Sequence, residues 1–573
     1  MQTFSGVGVA PGRVLGPVRQ MPKPVQEPAA WLQGAVNMPA DVTVESQGQR
    51  IKDAAKAVQA ELRARAATAS GEGKEVLEAT ALMAADPMLV KSAIKLLSPD
   101  APGGARTAER AIWEAGATVA DSLKALGGYM AERVADVLDV RARIVSELRG
   151  LPAPGIPTSD VPFILAAEDL APADTATLDP AKVIALVTSS GGPQSHTAIL
   201  ARALGLPAIV AAPGVDEIGD GTEIYIDGAA GTITVDPGEE LRLAAKAWAT
   251  QASTVTAFNG SNEMADGFRI PLLANVGTGA DAVKAADAGA EGVGLLRTEF
   301  CFLDRDDEPT VEEQIAAYGA VFAAFPGKKV VVRTLDAGAD KPLPFLTNAD
   351  EPNPALGVRG YRTDLTSPGV LERQLKAIAA AEANNQAEVW VMAPMISTAE
   401  EAAHFAVLCS AAGLKIPGVM VEVPSAALTA ATLLREVSFA SLGTNDLTQY
   451  TMAADRQLGP LAALNDPWQP AVLRLVKLTV GGAAAANAGG TARPVGVCGE
   501  AAADPALAVV LVGLGVTTLS MSARALAAVS AVLATVTIAH AQKLAAAALS
   551  APSASAARQT VRAQLPILDE LGL

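Results

Sequence analysis

The sequence predicts a multidomain α/β fold: a mixed α/β domain carrying an inserted helical subdomain, followed by a TIM (β/α)8 barrel. Three observations predict it. A chain of 573 residues is too long for one hydrophobic core and asks for roughly three or four domains. From about Val42 to Arg149, apolar residues recur at three- and four-residue steps with charges between them, as in "RIKDAAKAVQAELRARA" and "RVADVLDVRARIVSEL". From Phe268 onward, eight short strand-like segments alternate with helical stretches.

In chain order, "TFSGVGVAPGRVLGPV" (3–18) reads as β-structure punctuated by glycine turns. Four helices follow, separated by "SGEG", "SPDAPGG" and "LGG". The segments "VPFILAAE", "KVIALVTSS", "LPAIVAA", "TEIYID" and "TITVD" supply short strands that complete the first domain with the N-terminal strand. "GEELRLAAKAWATQA" (238–252) and the loop after it read as a linker. The barrel strands are "IPLLANVG", "GVGLLRTE", "KVVVRTLD", "VWVMAPM", "GVMVEVP", "FASLGTND", "PVGVCGE" and "TTLSMS". Nearly every one runs apolar and ends polar or reactive: Asn275, Arg297 and Glu299, Arg333 and Asp336, Glu422, Asn445 and Asp446, Cys498 and Glu500, Ser520. In a TIM barrel those ends share one face, so residues more than two hundred positions apart converge on one pocket.

Composition narrows the chemistry. Half of the residues are hydrophobic but only 4% are aromatic, which suits packed helices and a small-residue barrel. A net charge of −17 argues against nucleic acid as a partner, while permitting a basic protein partner and a locally basic pocket for a small anion. Three widely spaced cysteines make neither a disulfide framework nor a zinc motif, and a reducing cytoplasm fits. No secretory signal is read at the N-terminus. The longest apolar segment, "ALAAVSAVLATVTIAHA" (525–541), is Ala-rich and shorter than the ~18 residues of a spanning helix. It is expected to be one packed helix, with no membrane insertion.

The stretch "SSGGPQSHTAIL" (189–200) holds one of only three histidines. Ser195 is placed to cap a helix whose apolar residues Ile199, Leu200, Ala203 and Leu204 follow at helical spacing. His196 then lies in the first turn, where negative charge is favoured, and its imidazole could carry a phosphate; otherwise it merely ends a loop. At the barrel strand ends, Arg297 and Arg333 could hold a phosphate or carboxylate, with Arg359 and Arg456 on adjoining loops. The substrate is then a small multiply charged anion. Glu422 and Asp446 end neighbouring strands, and two carboxylates plus substrate oxygens are the usual holders of Mg²⁺. The competing reading pairs these carboxylates with the arginines as structural ion pairs. Cys498, at a strand end, is a general acid toward a carbanion-like carbon, unless it is inert packing like Cys301 and Cys409. No "GxxxxGK[ST]" occurs, so a nucleoside triphosphate bound at an ordinary P-loop is not expected.

The segments "GGPQSHTAILARALGLPAIV", "GLLRTEF", "VRTLDAGADKPLP", "NPALGVRGYR", "VMVEVPSAAL", "LGTNDLTQYTMAADR" and "GVCGE" together resemble the phosphoenolpyruvate-protein phosphotransferase family, enzyme I of the bacterial sugar phosphotransferase system. The resemblance covers essentially the whole chain. It implies a swivelling phosphohistidine α/β domain (1–24 and 150–237), a helical HPr-binding subdomain (25–149), a linker (238–262) and a phosphoenolpyruvate-binding, dimerising barrel (263–573). It implies that His196 is phosphorylated and that Thr175 contacts it. Arg297, Arg333 and Arg359 match positions around phosphoenolpyruvate, with Asn445 and Arg456 adding contacts; Glu422 and Asp446 match Mg²⁺ ligands, and Cys498 the residue that protonates the enolate. HPr is the implied protein partner and a homodimer the implied assembly. Two related readings are a phosphoenolpyruvate synthase or dikinase lacking its ATP domain, and a non-catalytic regulatory homologue.

The sequence also departs from the family. Ala339 stands where a glycine is common, which puts the loop geometry beside Arg333 in question. Thr80 and Ala84, in "LEATALMAADP", stand in a helix that often reads "EAHxxxLxDP", so the HPr-docking surface is expected to differ there.

Overall fold

The computed structural model describes residues 2–23, 25–29, 43–68, 78, 80–98, 100–101, 105–126, 134–157, 159–170, 178–192, 195–252, 257–303, 305–337, 343–348, 351–456, 458–487, 493–571 and 573. Two compact units make up the chain: Met1–Leu15, Ser190–Ala212 and Tyr225–Leu573 form one, Gly16–Ser189 and Pro213–Ile224 the other. The N-terminal strands are β1 (Gln2–Ser5), β2 (Val7–Ala10), β3 (Arg13–Gln20), β4 (Phe163–Ala167), β5 (Val183–Thr188), β6 (Ala208–Val210), β7 (Glu223–Asp227) and β8 (Thr232–Val235). Helices α1 (Val44–Thr68), α2 (Pro87–Lys95), α3 (Ala108–Leu126) and α4 (Val134–Arg149) lie between β3 and β4, so the helical insertion is where the sequence periodicity predicts it.

In the smaller unit the helices bury a stripe of apolar residues against one another, with Ile51, Ile112, Val140 and Ile144 fully buried. Helix α2 starts at Asp86, whose side chain accepts from Met88 N at 2.7 Å, with Pro87 in the first position where its missing N–H costs nothing. Strands β3, β4 and β5 pair in parallel, and all five residues of β4 are buried, which is why that segment reads as an unbroken apolar run. Thr80 is only 6% exposed and Ala84 is fully buried in the helical core. The expectation that these two departures alter a docking surface is therefore corrected: both side chains face inward and bear on packing. Ala339 lies outside the described residues.

In the larger unit β1 pairs with β8 and β2 with β6, both antiparallel. Helices α5 (His196–Leu204) and α6 (Glu239–Ala252) follow in chain order. Strands β9 (Leu272–Val276), β10 (Val293–Arg297), β11 (Lys329–Arg333), β12 (Glu388–Ala393), β13 (Pro417–Val421), β14 (Phe439–Leu442), β15 (Val495–Val497) and β16 (Thr518–Met521) then close a parallel barrel, β16 returning to β9. Six of the eight lie within the segments the sequence marks as strands, and β12 and β13 each begin one residue earlier, at Glu388 and Pro417. Leu295, Val331, Met392, Met420 and Phe439 fill the interior, and the Lys329 ammonium stands 3.5 Å from the centre of the Trp390 ring. The interior is thus a packed plug, and only the C-terminal mouth is left for chemistry.

The apolar segment 525–541 is not one packed helix. It forms Leu526–Leu533 and Ile538–Ser550, bent by 105° where Thr535, Val536 and Thr537 intervene. Thr537 starts the second helix by accepting from His540 N at 3.2 Å, so a β-branched run and a local cap end the first helix. Among the described residues no single helix is long and apolar enough to cross a membrane.

Candidate active site

Strand β5 ends just before the loop that leads into α5. Ser195 caps this helix, its hydroxyl accepting from Ala198 N at 3.3 Å, and Gly205 ends it in the left-handed conformation at φ 69°. Only glycine takes that conformation without a Cβ penalty. His196 is the first residue of the helix, as the capping pattern predicts. Thr175 lies outside the described residues.

At the barrel mouth the predicted residues come together as a ring of alternating charge. Arg333 ends β11 and donates from Nη2 to Glu299 Oε1 at 2.9 Å and from Nη1 to Asp336 Oδ2 at 3.2 Å. Arg359 grips Asp336 through Nε and Nη2 at 3.0 and 2.7 Å, and donates from Nη1 to Asp446 Oδ1 at 3.2 Å and to the Tyr450 hydroxyl at 3.3 Å. Arg456 approaches Asp446 Oδ2 at 3.7 Å. Arg297, half-buried at the end of β10, makes no hydrogen bond or ion pair among the described residues. Asn445 accepts from Glu500 N at 3.2 Å, and Asn275 donates to the carbonyl of Cys498 at 3.1 Å, tying the strand ends together. The competing expectation is met in part, since Arg333 and Arg359 do pair with carboxylates.

Those pairs leave a remainder that structural ion pairing does not use. Glu299 Oε2, Arg333 Nε, Thr334 Oγ1, Glu422 Oε2 and Thr444 Oγ1 are all buried without a hydrogen-bond partner. An orphaned buried polar atom costs roughly 1–3 kcal/mol, so five of them near one strand-end surface mark a place built to receive polar groups.

The carboxylates divide by role. Glu422, Asp446 and Asp336 can each bring an oxygen within 4.8 Å of the others, close enough to share a metal ion. Both oxygens of Asp336 are already held by Arg359. Burial alone would raise its pKa, but Arg359 and Arg333 outweigh burial and keep it at about 2. Asp336 is thus an anchor for arginines. Glu422 accepts from Met395 N at 2.7 Å through Oε1 and leaves Oε2 unpartnered. Burial, then Asp446 and Asp336, push it up to about 8 against the opposing pull of Arg359 and Arg333. Gly443 makes room for it: a Cβ there would stand 2.8 Å from Glu422 Oε2. An oxygen-only donor set with one free carboxylate oxygen fits a hard divalent cation. Sequence reasoning found Glu422 and Asp446. It placed Asp336 and Glu299 at strand ends without a role and missed Tyr450, whose phenol reaches Arg359 from the helix Thr444–Met452.

Cys498 follows β15 at the strand end but is 2% exposed, packed with Leu295, Val331, Met392, Met420 and Phe439. Its thiol donates to the Leu442 carbonyl at 3.6 Å. Burial pushes its pKa up to about 11, so the group is a protonated thiol across the neutral range. The arrangement can neutralise a compact polyanion, hold a divalent cation beside it and present one proton from below.

Three family models match in succession: the N-terminal region of phosphoenolpyruvate-utilising enzymes over residues 5–133, their mobile domain over 160–231, and their phosphoenolpyruvate-binding domain over 252–538. The chain is similar to a phosphoenolpyruvate-protein phosphotransferase of Streptomyces coelicolor, 52% identical over 98% of this chain and 99% of that protein. It is also similar to one of Haloferax volcanii, 40% identical over 95% and 96%. A multiphosphoryl transfer protein of Xanthomonas campestris is 42% identical over 77% of this chain and 54% of that protein.

Proposed function

The chain belongs to the phosphoenolpyruvate-protein phosphotransferase family of enzymes, and from that premise we propose that it carries the phosphoryl group of phosphoenolpyruvate on His196 and passes it to a histidine of HPr. Pyruvate is the other product, and the reaction is the first step of a sugar phosphotransferase system. One observation supports this reading most: a buried ring of arginines and carboxylates with unspent polar atoms lies in the same compact unit as the helix that begins at His196.

Neutral His196 attacks phosphorus as the bridging P–O bond to C2 of phosphoenolpyruvate breaks. Arg297, Arg333 and Arg359 neutralise the carboxylate and phosphoryl oxygens, and Asn445 and Arg456 add contacts. Glu422 and Asp446 would hold Mg²⁺, which would supply further positive charge beside the phosphoryl group. Bond cleavage leaves an enolate; Cys498 gives its proton to C3, forming pyruvate, and recovers one from solvent. Residues 1–24 and 150–237, with Thr175 beside the phosphohistidine, then turn to HPr on the helical subdomain 25–149, residues 238–262 serving as the connection. The same reading makes the protein a cytoplasmic homodimer through residues 263–573.

Intact-mass analysis after mixing with phosphoenolpyruvate and Mg²⁺, or with ATP and Mg²⁺, tests this. One phosphoryl group on His196 is expected from phosphoenolpyruvate alone, with release to HPr on its addition. Labelling by ATP would point to a dikinase-like enzyme, and no labelling by either to a non-catalytic homologue.

A further inference from the structure

The geometry points to a second role for the helix that begins at His196: Arg202 and Glu500 form a docking latch that seats α5 on the barrel for the phosphoenolpyruvate half-reaction and has no part in transfer to HPr. This rests on the function proposed above. Arg202 lies in the last turn of α5, and its Nε meets Glu500 Oε2 at 3.1 Å. Its Nη1 reaches the carbonyl of Val9 in β2 at 3.5 Å, which props the guanidinium from behind. Glu500 lies two residues beyond Cys498, and its backbone N–H donates to Asn445 at 3.2 Å. One residue of the barrel mouth is therefore tied by its backbone to a proposed substrate contact and by its side chain to the histidine helix.

Two further approaches bracket this pair. Before α5, Gly192 comes so close to the Arg456 carbonyl that a Cβ would lie 2.7 Å from the oxygen. After α5, a Cβ on Gly205 would lie 3.2 Å from Arg524 Nη1. The segment thus meets residues that follow β14, β15 and β16, all at the C-terminal mouth. The rest of this contact is not closely packed: a cavity of about 300 Å³, lined by Arg202, Gly205, Asn445, Arg456, Glu500 and Arg524 among others, lies in it. A seam whose ion pairs, Arg202 with Glu500 and the more exposed Arg13 with Asp569 at 3.3 Å, stand beside a cavity rather than over an apolar core separates at low cost, as a helix serving two stations requires.

The test compares wild type with Arg202→Glu, Glu500→Arg, the double charge swap, and the milder Arg202→Gln. Phosphate on His196 is timed from phosphoenolpyruvate with Mg²⁺ and, separately, from phosphorylated HPr. Each single variant is expected to slow the first labelling about ten-fold, the scale of a lost charge pair, with the second labelling unchanged. In the two Arg202 variants phosphoenolpyruvate binding is also unchanged, and the swap recovers most of the lost rate. Equal loss of both labellings in Arg202→Glu, no loss in any single variant, or a swap that melts normally yet recovers nothing would each overturn the latch. Hydrogen exchange of residues 499–504 reads docking without phosphate: faster exchange in the single variants and recovery in the swap are expected, and no change counts against it. If wild type takes no phosphate from phosphoenolpyruvate, the proposed function fails while hydrogen exchange still decides the latch.

Discussion

Cys498 shows how one residue answers to both packing and chemistry. Its neighbours are those of a core residue, yet the same burial that excludes water keeps the thiol protonated, with the pKa pushed up to about 11. Because the folded-state pKa is raised, the thiol's contribution to stability is complete below its unfolded value of ~8.5 and is lost as pH rises through about 11. Alkylation of Cys498 by iodoacetamide in the native protein should therefore be slow at pH 8 and accelerate only as pH approaches that value; rapid modification at neutral pH would show a thiolate. Cys498→Ser should lower turnover of phosphoenolpyruvate by roughly 10²- to 10⁴-fold, the range for a general acid, while phosphate exchange between His196 and HPr survives. Loss of both reactions would mean structural damage, and loss of neither a packing role. His196→Ala should take no phosphate and melt as wild type, since it changes the first turn of a helix whose cap, Ser195, remains.

Among the elements, α5 and the β13–β14 pair are set by different forces. Helix α5 is specified locally, by Ser195 at one end and Gly205 at the other. Ser195→Ala should cost about 1 kcal/mol in thermal or denaturant unfolding of the unit containing α5, as loss of an N-cap does elsewhere. The metal-ligand geometry depends on tertiary contact: Glu422 follows β13, Gly443 follows β14, and the two meet because these strands pair in register from Gly418 and Phe439 onward. Gly443 has an ordinary φ of −88°, so alanine there is not strained by its backbone; the nearest atoms its Cβ would meet belong to Glu422 and Met420. Gly443→Ala should displace the Glu422 carboxylate and weaken Mn²⁺ binding, read by electron paramagnetic resonance, by roughly ten- to hundred-fold, as loss of ligand support does. Undiminished binding would remove Glu422 from the ligand set.

At the scale of the molecule, the pairings of β1 with β8, β2 with β6 and β3 with β4 all close within residues 2–235, and the barrel closes on itself from Leu272 onward. A fragment ending near Val255 should accordingly accept phosphate from phosphorylated HPr but take none from phosphoenolpyruvate, whose proposed contacts all lie downstream. Phosphate uptake from phosphoenolpyruvate by that fragment, measured by intact mass, would refute the division of labour.

The eight barrel strands and the Ser195 cap were legible in the sequence because alternation, strand length and capping act over a few residues, a range that a linear reading covers. The strand-end rule carries that reading further and names Arg297, Arg333, Glu422, Asp446 and Cys498, with Arg359 read on an adjoining loop. It could not say how they divide the work. That Asp336 anchors Arg359 while Glu422 keeps a free oxygen, that Thr80 and Ala84 face a core, and that Arg202 meets Glu500 are contacts between distant residues. Barrel closure and helix packing bring such groups within a few ångströms in a medium of low dielectric constant, where desolvation and the nearest opposite charge choose the partner. Local pattern thus settles which elements form and in what order, while the pairing of charges, and with it the chemistry of each carboxylate, belongs to the folded whole.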